Sequence, residues 1–292
     1  MSITKADSTD AFVVVDLADA PTAIGVVRCA KKILQDGAVN LARTLTYTYG
    51  AFGEKISGAS AGINAEGDAR DAAVSSFVDE FAPQVNSGAL RLTPAKGVTD
   101  EDLAAWAESP AALSAEDEAR TLGVSTVAAA AAVRELADLT VSVEAGAPGA
   151  EAIAAAFNTA GATATVRPLA ELLSTASDVV VVGSKAGVLN HDNVVGIGDA
   201  LVIGSAGLAI TARGLAVGKR QGATILPDFV TAAGPALAAL GRSDDEIAAA
   251  VQALINEVKN HEEGPYLGAC YAAERFMATW TEALPFGRPM AA

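Results

Sequence analysis

The stretch Leu139–Pro168, LTVSVEAGAPGAEAIAAAFNTAGATATVRP, decides how this chain folds. It opens on a β-branched run, passes through the glycine-bearing turn EAGAPG into the alanine-rich run Ala150–Ala160, and returns in a second β-branched run, ATATV. Two strands joined by a helix read as a βαβ unit, the crossover that parallel strands require. Outward from it, DVVVV (Asp178–Val182), ALVIG (Ala200–Gly204) and ATIL (Ala223–Leu226) read as further strands, with a basic helix end at Lys219 and Arg220. Five strands with helical crossovers predict a nucleotide-type sheet, whose ligands gather at the carboxyl ends of the strands.

Before that core, a long alanine helix is expected over Val124–Asp138. In the first half, Ala11–Asp16 (AFVVVD) reads as a strand and Lys31–Phe52 as one or two helices. A helix should start near Asp68 and break at Pro83. Leu90–Leu92 is a short strand, and Asp100–Ala107 starts with acids, as a helix N-terminus does. The tail from Asp244 is helical. The fold class is therefore α/β.

Composition narrows the function. The 292 residues are 51% hydrophobic and 19% charged, enough apolar material for a packed core and too little charge for a disordered chain. Twenty basic against 35 acidic residues leave a net charge of -15, which repels nucleic-acid phosphates and anionic lipid. Mean hydropathy is +0.33, but the excess is largely alanine, and glycine or charge interrupts every run short of a membrane span. Two cysteines, Cys29 and Cys270, suit a reducing compartment, so the cytoplasm is expected. The N-terminus reads as mature sequence.

Six segments, in order, resemble the glutamate, leucine, phenylalanine and valine dehydrogenase family. LARTLTYTYGAFGEKISGASAGI (Leu41–Ile63) is similar, without a gap, to the family's LARGMTYKNALAGLPLGGGKAVI. GVVR (Gly25–Arg28) is similar to GGxR, and LTPAKGVTDEDL (Leu92–Leu103) to the stretch that holds the family's DVGT. SDVVVVGSKAGVLN, ALVIGSAGLAI and ILPDFVTAAGP follow the family's ADVFAPCALGAII, KVIAGSANNQL and APDYVINAGG.

The resemblance implies an N-terminal substrate and dimerisation domain over residues 1–125, a Rossmann-like domain over 126–240, and a C-terminal helical segment, 241–292, packing back toward the first. It also implies an oxidation at an amino acid's Cα with hydride passed to NAD or NADP. In the family, one lysine binds the substrate carboxylate, a second, desolvated lysine is the base, and an aspartate exchanges protons. At those positions this chain has Thr48, Ser60 and Ala95. A hydroxyl carries no charge at pH 7 and is a poor base without a partner. Hydride transfer by the family's route is not expected. Thr48, Ser60 and Arg28 remain as substrate-binding candidates.

On the cofactor side, Gly146, Gly149, Arg167 and Ser184 are the candidates, with Glu144 where the phosphate-binding turn has its first glycine. A carboxylate there opposes a diphosphate. Pro168 stands at the ribose-binding acid, and Gly207, Leu208 and Ala232 replace asparagines. If chemistry has moved, Lys185, Lys96 and Lys55 are the candidates, Lys185 foremost because its loop leaves a strand's carboxyl end; a solvated loop lysine is the alternative for each. His191 and His261 lack metal-ligand spacing, so no metal is expected. Three functions stay open: a homologue that binds an amino acid, a 2-oxo acid or a partner subunit in a homo- or hetero-oligomer; a repurposed NAD-independent enzyme, such as a lyase; and an NAD(P)-dependent oxidoreductase with a relocated site.

Overall fold

The computed structural model describes residues 1–106 and 113–291. The chain divides into two compact units, Met1–Ala112 with Ala273–Arg288, and Leu113–Ala272 with Pro289–Ala292.

The first unit is built on five strands: β1 (Ser2–Lys5), β2 (Ala11–Val15), β3 (Ala23–Ala30), β4 (Ser57–Asn64) and β5 (Leu90–Pro94). Their order is β1-β2-β4-β3-β5. β2 runs antiparallel to β1 and β4, and β3 runs parallel to β4 and β5. Helix α1 (Gln35–Ala51) packs Ala38 and Ala42 on the face that carries Phe12 and Val14. Helix α2 (Arg70–Asn86) buries Phe77 and Phe81 on the opposite face, against Val27, Ala61 and Leu92. Trp106 joins that core, its indole N–H donating to Val78 O at 2.9 Å. Arg43 of α1, buried, is locked to the buried Asp16 just past β2, with Nη2 2.7 Å from Oδ1.

Several expectations need correction in this unit. β3 and β4 are strands beyond those the sequence predicts; β3 holds Ile24, Val26 and Val27, whereas the GASAG of β4 offers no β-branched residue. Its small residues instead permit close approach: a Cβ on Gly58 would sit 1.8 Å from Ala42 O. α1 starts at Gln35, leaving 31–34 as its approach. Pro83 does not break α2, which runs on to Asn86; the proline sits in the last turns, where one missing N–H is tolerated. Residues 100–106 form turns and not a helix, with Leu103 N donating to Asp100 O and Trp106 N to Leu103 O, and residue 107 lies outside the described residues.

The second unit holds an all-parallel sheet of β6 (Thr140–Glu144), β7 (Thr163–Arg167), β8 (Val179–Val182), β9 (Leu201–Gly204) and β10 (Thr224–Ile225). The order β10-β9-β8-β6-β7 is that of an open, doubly wound nucleotide-type sheet. All four residues of β8 and of β9 are buried, as a sheet covered on both faces demands. Helix α3 (Ala115–Ala131) packs against α4 (Ala150–Thr159) and against a later helix, Asp244–Val258, that opens on a Ser243–Glu246 capping box. α3 starts nine residues before the expected Val124, because Ser114 caps it through Asp117 N, and it runs unbroken through position 125. The expected basic helix end is there, closing Ala212–Arg220. Among the described residues, no helix is long and apolar enough to cross a membrane.

Candidate functional site

In the second unit, β6 delivers Glu144 to the carboxyl end of the sheet, and the side chain turns inward. It is only 3% exposed. Its Oε2 accepts the backbone N–H groups of Gly183 at 2.9 Å and Ser184 at 3.1 Å, the two residues that follow β8. Hydrogen bonds to a carboxylate are charge-assisted, so this buried anion is well held. The turn beside it is close to the same loop: a Cβ on Gly146 would lie 3.0 Å from Ser184 Cβ and 3.9 Å from Glu144 Oε1. Gly149, at φ +67°, is the N-cap of α4 and supplies no side-chain cap.

The remaining cofactor-side candidates are placed around that carboxylate. Register sets Arg167 opposite Glu144, with Ala145 N donating to Arg167 O at 2.8 Å, but the guanidinium pairs with Glu171 one helical turn on. Ser184 and Lys185 are exposed in the loop. Beyond β9, Leu208 holds a left-handed backbone at φ +64° while its side chain is buried, and Gly187 N donates to its carbonyl at 2.8 Å. Ser205 Oγ is buried without a hydrogen-bond partner, and a Cβ on Gly183 would meet it at 2.4 Å.

Two residues that were not among the sequence candidates meet in this unit. Asp228 is fully buried; its Oδ2 accepts Ala209 N at 2.8 Å, and its Oδ1 lies 2.9 Å from the Tyr266 hydroxyl. That hydroxyl is also 2.6 Å from Pro289 O. A tyrosine has one proton for two oxygen neighbours, so both contacts are hydrogen bonds only when Asp228 carries a proton. Burial favours that state, pushing the Asp228 carboxyl up to about 7. No sequence signal marked Tyr266, since its partner lies 38 residues away.

In the first unit, the substrate-side candidates separate. Thr48 is buried on α1 and donates to its own helix at Thr44 O, 3.1 Å away. Ser60 is in the middle of β4, fully buried, and Arg28 reaches it from β3: Nη2 lies 3.2 Å from Ser60 Oγ. Ala95 follows β5 on the other side of β3, its N–H donating to Val27 O at 3.0 Å. Ser60, Arg28 and Ala95 thus lie across neighbouring strands. Arg28 Nε is buried without a partner, and burial holds the guanidinium below its ordinary pKa. Lys55 and Lys96 are exposed. Burial raises the Cys29 thiol, which argues against a reactive thiolate. Among the described residues no group of three or more His, Cys, Asp or Glu is placed to hold a metal.

The architecture has solved counterparts. L-tryptophan dehydrogenase from Nostoc punctiforme superposes with a TM-score of 0.74 over 96% of each chain, at 16% identity. The hetero-hexameric glutamate dehydrogenase from Thermus thermophilus, in its leucine-bound form, gives 0.75 over 92% of this chain and 83% of its own, at 18% identity. Glutamate dehydrogenase from Plasmodium falciparum gives 0.74 over 95% and 80%, at 10% identity. No protein-family model and no curated protein matches the sequence.

Proposed function

From the fold it shares with the amino acid dehydrogenases, we propose that this protein binds a small ligand of the amino acid or 2-oxo acid class and does not transfer hydride to a dinucleotide. The observation that carries the reading is Glu144, whose carboxylate takes two backbone amides beside the turn that would receive a diphosphate. A phosphate brought within ~4 Å of it meets a repulsion of about 4 kcal/mol at the effective dielectric of a protein surface. The residues present do not fit that group. On the substrate side, Thr48, Ser60 and Ala95 offer neither an ammonium nor a carboxylate for proton transfer. Assembly into a homo- or hetero-oligomer belongs to the same reading, as the Thermus counterpart is described as a hetero-hexamer.

A thermal-shift screen against NAD(H), NADP(H), amino acids and 2-oxo acids, with absorbance at the nicotinamide band followed in parallel, tests the proposal. Stabilisation by an acid of either class without turnover is the expected result. Reduction of NAD or NADP with any amino acid overturns it. If that activity is lost in Lys185→Ala, the chemistry has moved to the loop after β8.

A further inference from the structure

In the second unit, the segment Pro289–Ala291 lies as a short strap against the loop that follows β9. Ala291 N donates to Ile210 O at 3.2 Å, and Ala291 pairs with Thr211 in an isolated parallel bridge. Pro289 and Ala291 are buried. On one side the strap edges a hollow of about 500 Å³, which Ala291 lines together with Gly187, Asn190, His191, Thr211 and Arg213. On the other, Tyr266 reaches it from the helix Pro265–Met277, with its hydroxyl 2.6 Å from Pro289 O and 2.9 Å from Asp228 Oδ1. Asp228 fixes the same loop, since its Oδ2 accepts Ala209 N at 2.8 Å. The acid, the tyrosine and the strap thus all close on residues 209–211.

The proton count at Asp228 decides whether Tyr266 can hold the strap. With Asp228 protonated, its O–H donates to the Tyr266 oxygen and the Tyr266 O–H donates to Pro289 O. With Asp228 ionised, the tyrosine's one proton turns to the carboxylate, the stronger acceptor, and Pro289 O faces an oxygen lone pair at 2.6 Å. A buried carbonyl left without a donor is costly, and the strap relieves that cost by moving into water. We propose that Asp228 and Tyr266 are a proton-operated latch: the protonated acid keeps the strap Pro289–Ala291 against residues 210–211, and loss of that proton frees the strap and widens the hollow beside it. The surroundings of the acid fix the direction. Tyr266 is in contact with it and the Cys270 thiol lies beyond on the same helix, while β9, residues 205–211 and the strap bring no ionisable side chain. The hydroxyls of Ser125 and Thr231 are spent on Thr231 O and Gly204 O. Arg288, just before the strap, is paired with Glu274, and His191, Asp192 and Arg213 border the hollow. None of the groups in contact with Asp228 is a cation, and burial holds its carboxyl up at about 7. The latch is therefore shut below neutral pH and open above it.

Hydrogen exchange at the Ala291 amide, read by NMR as protection relative to an unstructured chain from pH 5.5 to 8.5, follows the strap. The amides of Val181 and Ile203, in the buried strands β8 and β9, report global opening in the same spectra. In the wild type, protection at Ala291 should fall about tenfold or more as pH rises through 7, and by more than it falls at Val181 and Ile203. Asp228→Asn, whose side-chain amide donates to Tyr266 at every pH, should keep the strap protected throughout. Tyr266→Phe, which removes the donor to Pro289 O, should leave it poorly protected at pH 5.5 and 8.5 alike. A flat wild-type profile overturns the latch, as does a fall at Ala291 that Val181 and Ile203 match. So does a fall that persists in Asp228→Asn, as titration of His191 would give, or a pH response retained in Tyr266→Phe.

Discussion

Glu144 ends a strand at the place where parallel sheets collect ligands, and its carboxylate answers amides that a bound anion would otherwise meet. Nearby, Leu208 keeps a left-handed backbone that costs a branched side chain about 1–2 kcal/mol and that asparagine adopts more readily. Arg28 and Arg43 differ in their partners. Arg43 is buried and fully matched by Asp16, with Nε 2.8 Å from both carboxylate oxygens. Removing one partner of a buried pair leaves the other charge stranded, so Asp16→Ala should lower unfolding stability by about 3–5 kcal/mol in urea titration. A loss under 1 kcal/mol would mean that Arg43 finds its counter-charge elsewhere. Arg28 has no such ion pair among the described residues; its Nη2 meets Ser60 Oγ instead.

Among the elements, β4 shows why a sequence reading of strands fell short. Gly58 lies against Ala42 of α1, and Gly62 against Ile33 and Phe12, at distances that no larger side chain permits, and the missing β-branched pattern is a consequence of that packing. Gly58→Ala, which drives a methyl group into the Ala42 carbonyl, should cost about 3 kcal/mol or more; a neutral result in thermal unfolding would contradict the close packing of α1 on β4. By contrast, β8 and β9 were legible because strands buried on both faces read as near-continuous runs of valine, isoleucine and leucine. Boundaries were less so. Ser114 and Asp117 start α3 early, a capping pattern hidden in front of an alanine run that looks helical wherever it begins. Of the candidate site, Glu144 was readable from its place in the turn, and the Ser60–Arg28 contact was not, since it depends on β3 and β4 being neighbours. Tyr266 had no local signature at all.

For the whole molecule, Asp228 sets a pH dependence. Its carboxyl titrates near 7 in the folded state against 3.8 in the unfolded chain, so the folded state binds this proton more tightly. The stabilisation is full below pH 3.8 and is lost as pH rises through 7. It amounts to about 4 kcal/mol across that window. Unfolding titrations from pH 4 to 8 should show wild type losing stability relative to Asp228→Asn as pH rises; a constant difference between the two would contradict the buried proton. Each of the two α/β units belongs to a chain with the fold of the amino acid dehydrogenases, and the function proposed above is that its side chains do not transfer hydride. Calorimetric titration of NAD and NADP into wild type and Glu144→Gly tests that claim most directly. The account predicts no binding to wild type at millimolar dinucleotide and a gain of at least tenfold in affinity in the glycine variant; micromolar binding to wild type, unchanged by the substitution, would contradict it.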